Sequence, residues 1–144
     1  MPLKDKKIAI VGSGLVGSLL SIYISKMGAK VSVYERRCDI RKDNISAGRS
    51  INLALSDRGI RALKEVGVDE QIMSITMPMH KRIMHSLEGS LTGQYYGKKN
   101  QAIHSVSRRE LNCILMDLAE KNGVKIHFSK ECINIDFNKT MLNF

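Results

Sequence analysis

The sequence predicts an α/β fold, with a parallel βαβ unit at the front and the start of an antiparallel sheet behind it. Three observations predict this. Lys7 to Val11 is a short apolar run with β-branched residues, the composition of a buried parallel strand. Leu15 to Met27 carries apolar residues at helical spacing and stops at Gly28, after which Lys30 to Glu35 alternates as a second strand. From Lys81 the texture changes to two alternating runs about a Glu88-Gly89 turn, the pattern of an antiparallel pair.

Each element follows from its local pattern. Val16, Leu19, Leu20, Tyr23 and Met27 form the apolar repeat of the first helix. Residues 36 to 50 are polar, charged and aperiodic, and read as a loop. Ile51 to Leu55 is extended, and Ser56 caps a helix over Asp57 to Val66 that Gly67 ends. A shorter helical piece runs from Asp69 to Ser74. Arg82 to Leu87 and Leu91 to Tyr96 make the antiparallel pair, and Ala102 to Val106 adds a third strand. Ser107-Arg-Arg-Glu110 is a capping box, and it opens a helix with Leu111, Ile114, Leu115 and Leu118 on one face, ended by Gly123. Val124 to Phe128 reads as another parallel-type strand, and Cys132 to Phe137 as one more. Three convincing parallel strands are few for a doubly wound sheet, and residues 138 to 144 show neither a helix signature nor a polar tail. The expectation is one truncated domain over residues 1 to 144, the front part of a larger protein.

Composition narrows the class. The chain is 43% hydrophobic and 26% charged, as soluble globular proteins are, and no segment approaches the length of a signal peptide core or a bilayer span. Its net charge of +9 invites a nucleic-acid reading, but the basic residues are scattered and none interleave with aromatics. Nucleic acid is therefore not an expected partner. Cys38, Cys113 and Cys132 are odd in number and lack C-x-x-C spacing, which argues against a disulfide framework or a zinc site and for the reducing cytoplasm. His80, His85, His104 and His127 show no metal-ligand spacing and no nucleophile partner, so no metal site is expected. Met73, Met77, Met79 and Met84 are expected to pack against an apolar wall.

The chemistry concentrates in Gly12-Ser-Gly14-Leu-Val-Gly17, between the first strand and the first helix. Gly12 allows the tight turn, Gly14 lets backbone approach a pyrophosphate, and Gly17 permits close packing of helix on strand. The helix N-terminus offers free N–H groups and partial positive charge to the phosphates. Glu35 ends the second strand eighteen residues past Gly17, where a carboxylate accepts from ribose hydroxyls. This is a Rossmann-like dinucleotide unit. The carboxylate repels a 2′-phosphate, so NADP is disfavoured here despite Arg36, and NAD and FAD both remain open.

The residues beyond Glu35 separate them. Gly48-Arg-Ser-Ile-Asn-Leu-Ala-Leu-Ser56, followed by Asp57-Arg-Gly-Ile-Arg-Ala-Leu63, closely resembles a signature of the kynurenine 3-monooxygenase family of FAD-dependent aromatic hydroxylases. The resemblance continues in unbroken order through Pro78-Met79, Arg82, Met84-His85-Ser86-Leu87, Tyr96-Gly97 and Ser105-Val-Ser-Arg108.

The resemblance implies one FAD, with NADPH as co-substrate, and oxygen-dependent hydroxylation of L-kynurenine to 3-hydroxy-L-kynurenine on the route to quinolinate and NAD. The flavin carries the oxidation, so no catalytic side chain is implied. Val16, Glu35, Arg36 and Arg37 match contacts to the adenosine and pyrophosphate of FAD, Ala54 a position along the flavin, and Arg108 an FAD-contacting arginine. Cys132 matches a backbone contact near the adenine, although the residue type departs from the family's. Arg82 and Tyr96 match the arginine and tyrosine that grip the substrate carboxylate, a pairing that suits a guanidinium and a phenol. The family's later Asp-Gly and Gly-Asp motifs do not occur here, which implies an inactive fragment. Alternatives are a related hydroxylase of another aromatic acid and a stand-alone dinucleotide-binding module.

Overall fold

The computed structural model describes residues 2–42, 51–98 and 101–144. They form two compact units, Met1–Ser50 with Arg109–Phe144, and Ile51–Arg108.

The first unit is built on a three-stranded parallel sheet. Strand β1 (Lys7–Val11) leads into helix α1 (Leu15–Lys26), which returns the chain to β2 (Lys30–Tyr34) beside β1. The predicted boundaries of these elements hold within one or two residues. In β2 the alternation sends Val31 and Val33 into the core, where full burial of a valine side chain contributes roughly 1.5–3 kcal/mol.

The buried face of α1 differs from the expected one. Ser18, Ser21 and Ile22 are buried, while Val16, Leu20 and Tyr23 of the apolar repeat are exposed. Small residues let the helix lie close to the strands, and they decide which face turns inward. Helix α4 (Arg108–Lys121) buries Leu111, Leu115, Met116 and Ala119, so its predicted face is correct at Leu111 and Leu115.

The third parallel strand lies on the far edge of β2 and spans Lys125–His127. Residues 132 to 137, expected to add a parallel strand, instead supply Asn134–Asp136 of an antiparallel hairpin whose other arm is Met141–Asn143. A turn of four residues is too short for the crossover that parallel pairing needs. The hairpin brings Phe144 against Tyr34, ring centres 4.4 Å apart, and Tyr34 stacks on His127.

Arg41 ties the segment after β2 to α4. Its guanidinium pairs with Asp39 through two nitrogens and reaches Asp117 at 2.7 Å and Glu120 at 2.6 Å. Phe128 lies under the cation at 5.5 Å. The hydrogen bonds from Arg41 hold the Asp39 carboxyl below its ordinary range, against the opposite pull of burial.

In the second unit, β3 (Asn52–Leu55) is followed by α2 (Asp57–Glu65), α3 (Asp69–Met73) and β4 (Met77–Met79). Strands β5 (Lys81–His85) and β6 (Leu91–Tyr95) form the expected hairpin. Strand β7 (Ile103–Ser107), expected as its third strand, lies instead between β3 and β4 in a separate antiparallel sheet. Strand β4 carries no strand signal because Pro78 interrupts it, and β4 tolerates the proline because it is an edge. Leu63, Val66, Val68, Ile72 and Val106 make this unit's core. Of the four methionines expected to pack inward, Met77 and Met84 are exposed, on the short edge strand and on the open hairpin.

Candidate dinucleotide-binding site

The glycine loop is held from three directions. Gly12 has φ of +97°, and its N–H donates to the Tyr34 carbonyl at 2.8 Å, which pins the turn to the end of β2. A Cβ on Gly17 would collide with the Gly12 carbonyl oxygen, so only glycine allows the helix this close to the loop. Gly14 is different. A Cβ there meets nothing within 4 Å, and the backbone faces open space.

Gly14 is the N-cap of α1, without a side-chain capping bond, and the first turn of the helix carries no acidic residue. An anion is therefore favoured at this end by the free N–H groups and the macrodipole. The residues fit the phosphates of a dinucleotide. Val16, on that first turn, is 79% exposed.

Glu35 stands beside the loop, just past β2. Its Oε2 accepts from the Ser13 N–H at 2.8 Å and its Oε1 from the Arg37 N–H at 3.0 Å. Each oxygen keeps a lone pair for a ribose hydroxyl. The main chain around it is braced, because the Glu35 N–H donates to His127 and the Lys130 N–H donates to Glu35. Arg36 and Arg37 follow on the exposed side. Gly12, Gly14, Val16, Gly17, Glu35, Arg36 and Arg37 thus cluster around one helix end. Cys132 lies in the same unit, half-buried, with its Sγ 3.7 Å from the Asn134 carbonyl.

The remaining predicted residues belong to the second unit. Ala54 is exposed on β3 opposite Ser105, and the Arg108 N–H donates to the Ile51 carbonyl at 3.3 Å beside the same ladder. Gly48 to Ser50, the start of the signature run, lie outside the described residues. Arg82 pairs with Gln94 across the hairpin, and the Tyr96 N–H donates to the His80 carbonyl. Arg82 lies on β5 and Tyr96 directly follows the last residue of β6, so both belong to this hairpin. Tyr96 also lines a cavity of about 390 Å³ with Ser56, Arg58 and Gln101.

Sequence reasoning missed the residues that brace these groups. Ser13 is 1% exposed, and its carbonyl accepts from Asn112 Nδ2 at 3.1 Å and from Ser18 Oγ at 3.3 Å. Gln94 Oε1 accepts from both Arg82 Nε and Nη2, leaving the Nη1 edge of the guanidinium for another acceptor. No local pattern announces Asn112, which lies ninety-nine residues from Ser13. Among the described residues no His, Cys, Asp and Glu group could hold a metal ion.

Comparison with known proteins agrees with this geometry. A family model described as "FAD binding domain" matches residues 5–141. The kynurenine 3-monooxygenase of Christiangramia forsetii is 46% identical over 139 residues, covering 96% of this chain and 31% of its own. That of Flavobacterium johnsoniae is 47% identical over 137 residues, covering 95% and 30%. The chain thus spans about a third of the length of the curated relatives it matches. Among solved structures, 2-methyl-3-hydroxypyridine-5-carboxylic acid oxygenase superposes with a TM-score of 0.77 at 18% identity, over 92% of this chain and 34% of that one. The p-nitrophenol 4-monooxygenase of Pseudomonas putida superposes with a TM-score of 0.75 at 17% identity, over 93% and 34%, and both likenesses concern the fold. With its glycine loop, its Glu35 and a family match over nearly its whole length, the chain belongs to the FAD binding domain family, and its dinucleotide is FAD.

Proposed function

We propose that the chain is the FAD-holding part of a kynurenine 3-monooxygenase, which uses NADPH and oxygen to hydroxylate L-kynurenine. The observation that carries this reading is 46% identity to such an enzyme across 96% of the chain. When bound, FAD supplies the redox chemistry. The protein's own residues bind and orient. The α1 N-terminus with Gly12, Gly14 and Gly17 receives the pyrophosphate, and Glu35 accepts from the adenosine ribose. Val16, Arg36, Arg37 and the backbone at Cys132 line the adenosine side, while Ala54 and Arg108 serve the flavin side.

Arg82 and Tyr96 bind the amino-acid carboxylate. Gln94 takes one edge of the guanidinium and leaves the other for the ligand, and the nearness of both residues to one hairpin supports their joint use. Among the described residues Cys38, Cys113 and Cys132 form no disulfide, which fits a cytoplasmic setting. Burial pushes the Cys113 thiol up, so it stays protonated and inert at neutral pH. Among the described residues no helix is long and apolar enough to cross a membrane.

The test is ligand titration of the FAD-loaded chain, read by flavin absorbance and NMR. L-kynurenine should bind saturably, and its decarboxylated amine analogue at least about tenfold more weakly, the worth of a charge-assisted hydrogen bond. Arg82→Ala should abolish that difference. Equal binding of the two ligands, or tighter binding of a simple aromatic acid, sinks the substrate assignment.

A further inference from the structure

Asn112 joins the glycine loop in a way its own stability does not explain. Its Nδ2 donates to the Ser13 carbonyl, but its Oδ1 is buried and has no hydrogen-bond partner, the one such side-chain atom among the described residues. Reversing the amide would set Oδ1 against the Ser13 carbonyl, acceptor against acceptor, so the bond to Ser13 fixes the amide's orientation and with it the unpaired placement of Oδ1. A buried acceptor without a donor costs stability, and an apolar side chain of the same shape would remove that cost. Ser13 would keep its bonds to Glu35 and Ser18 without Asn112. The amide is therefore placed where it does not best serve the fold.

We propose that Asn112 is a positioning residue for the cofactor: it fixes the Ser13–Gly14 peptide so that the Gly14 N–H is presented to the dinucleotide beside the Glu35 carboxylate. Two adjacent peptides that share the Ser13 Cα lie between them. The N–H of the Gly12–Ser13 peptide is held by Glu35, and the carbonyl of the next peptide, Ser13–Gly14, by the Asn112 amide on α4. Loss of the Asn112 donor leaves the Ser13 carbonyl only the 3.3 Å bond from Ser18 Oγ, a weaker hold against tilting of the Ser13–Gly14 peptide plane. A tilt of that plane moves the Gly14 N–H without unfolding anything. This inference rests on the FAD-site reading above and adds a residue to it.

The experiment uses Asn112→Leu and Asn112→Asp in the whole chain, with FAD affinity from flavin fluorescence and apoprotein stability from thermal melts. Asn112→Leu should weaken FAD about tenfold or more while the apoprotein melts at the same temperature or higher. Asn112→Asp cannot donate when ionised. It should bind FAD weakly at neutral pH and recover affinity, relative to the unsubstituted chain, as the new carboxyl protonates. FAD affinity within twofold of the unsubstituted chain in both variants overturns the proposal. So does a parallel fall of affinity and melting temperature, which marks a packing role only. Failure of the unsubstituted chain to bind FAD overturns the site reading itself, and is seen separately.

Discussion

At the scale of single residues, the loop separates two glycines that look alike in sequence. Gly17→Ala places a methyl against a backbone carbonyl that cannot swing aside, so the helix must retreat from the loop. We expect a loss of roughly 2–3 kcal/mol of stability in urea melts, together with loss of FAD binding. Gly14→Ala adds a methyl to open space at φ −77°, a conformation alanine accepts. Its apoprotein should melt within about 0.5 kcal/mol of the parent or slightly higher, because the unfolded chain loses freedom. Its FAD affinity should nonetheless fall, since the methyl fills the space that a pyrophosphate approaches. Equal affinity in the alanine variant would remove Gly14 from the cofactor site. The glycines and Glu35 were legible in the sequence because the motif is contiguous and its spacing is set by one strand and one helical turn. Ser13, Ser18 and Asn112 were not. Their roles come from contacts made only after α4 has packed, and a serine or asparagine has no spacing signature for holding a carbonyl.

Elements are joined here by charge as well as by apolar packing, and Arg41 is the case to test. Asp39 is nearly buried, and Arg41 is its partner through two nitrogens. Arg41→Met leaves that carboxylate unpaired in a poor environment for charge, and should cost roughly 2 kcal/mol in urea melts near neutral pH. The sign with pH follows from the lowered Asp39 value. A carboxyl held below its unfolded value contributes stability above that value and loses it as the pH falls through the folded value. The parent should therefore lose stability more steeply than Asp39→Asn as the pH falls through and below the ordinary carboxylate range. Matching slopes would show that the pair contributes nothing. Element boundaries in the βαβ unit were readable because period and glycine stops agree there. The partners of β7 were not, because an antiparallel strand carries its face in its alternation but not its neighbour. The inward face of α1 was misread for a related reason: a helix apolar on several sides takes its orientation from where small residues allow close approach.

For the molecule as a whole, the two hairpins leave apolar side chains in water. Ile83, Leu87, Leu91 and Tyr95 are exposed on one, and Ile133, Ile135, Phe137 and Met141 on or beside the other. Patches of this kind favour association. The chain at 16.1 kDa should bind a hydrophobic dye such as ANS and sediment as larger species with rising concentration. A monomer at every concentration, silent to the dye, would contradict that expectation. The α/β class and the family were legible from one motif and one nine-residue run, whereas the division into two units was not, since no linker marks it. That division also sets an order of events during synthesis. The first unit is discontinuous in the chain, and β2 leaves the ribosome about ninety residues before Lys125–His127, the strand that closes its far edge. At about 5–20 residues per second, that edge waits on the order of 5–20 s without its partner. For that interval the nascent chain carries an open template for wrong strand pairing, so codon speed and chaperone access between residues 35 and 125 bear on yield as directly as any side chain in the cofactor cradle.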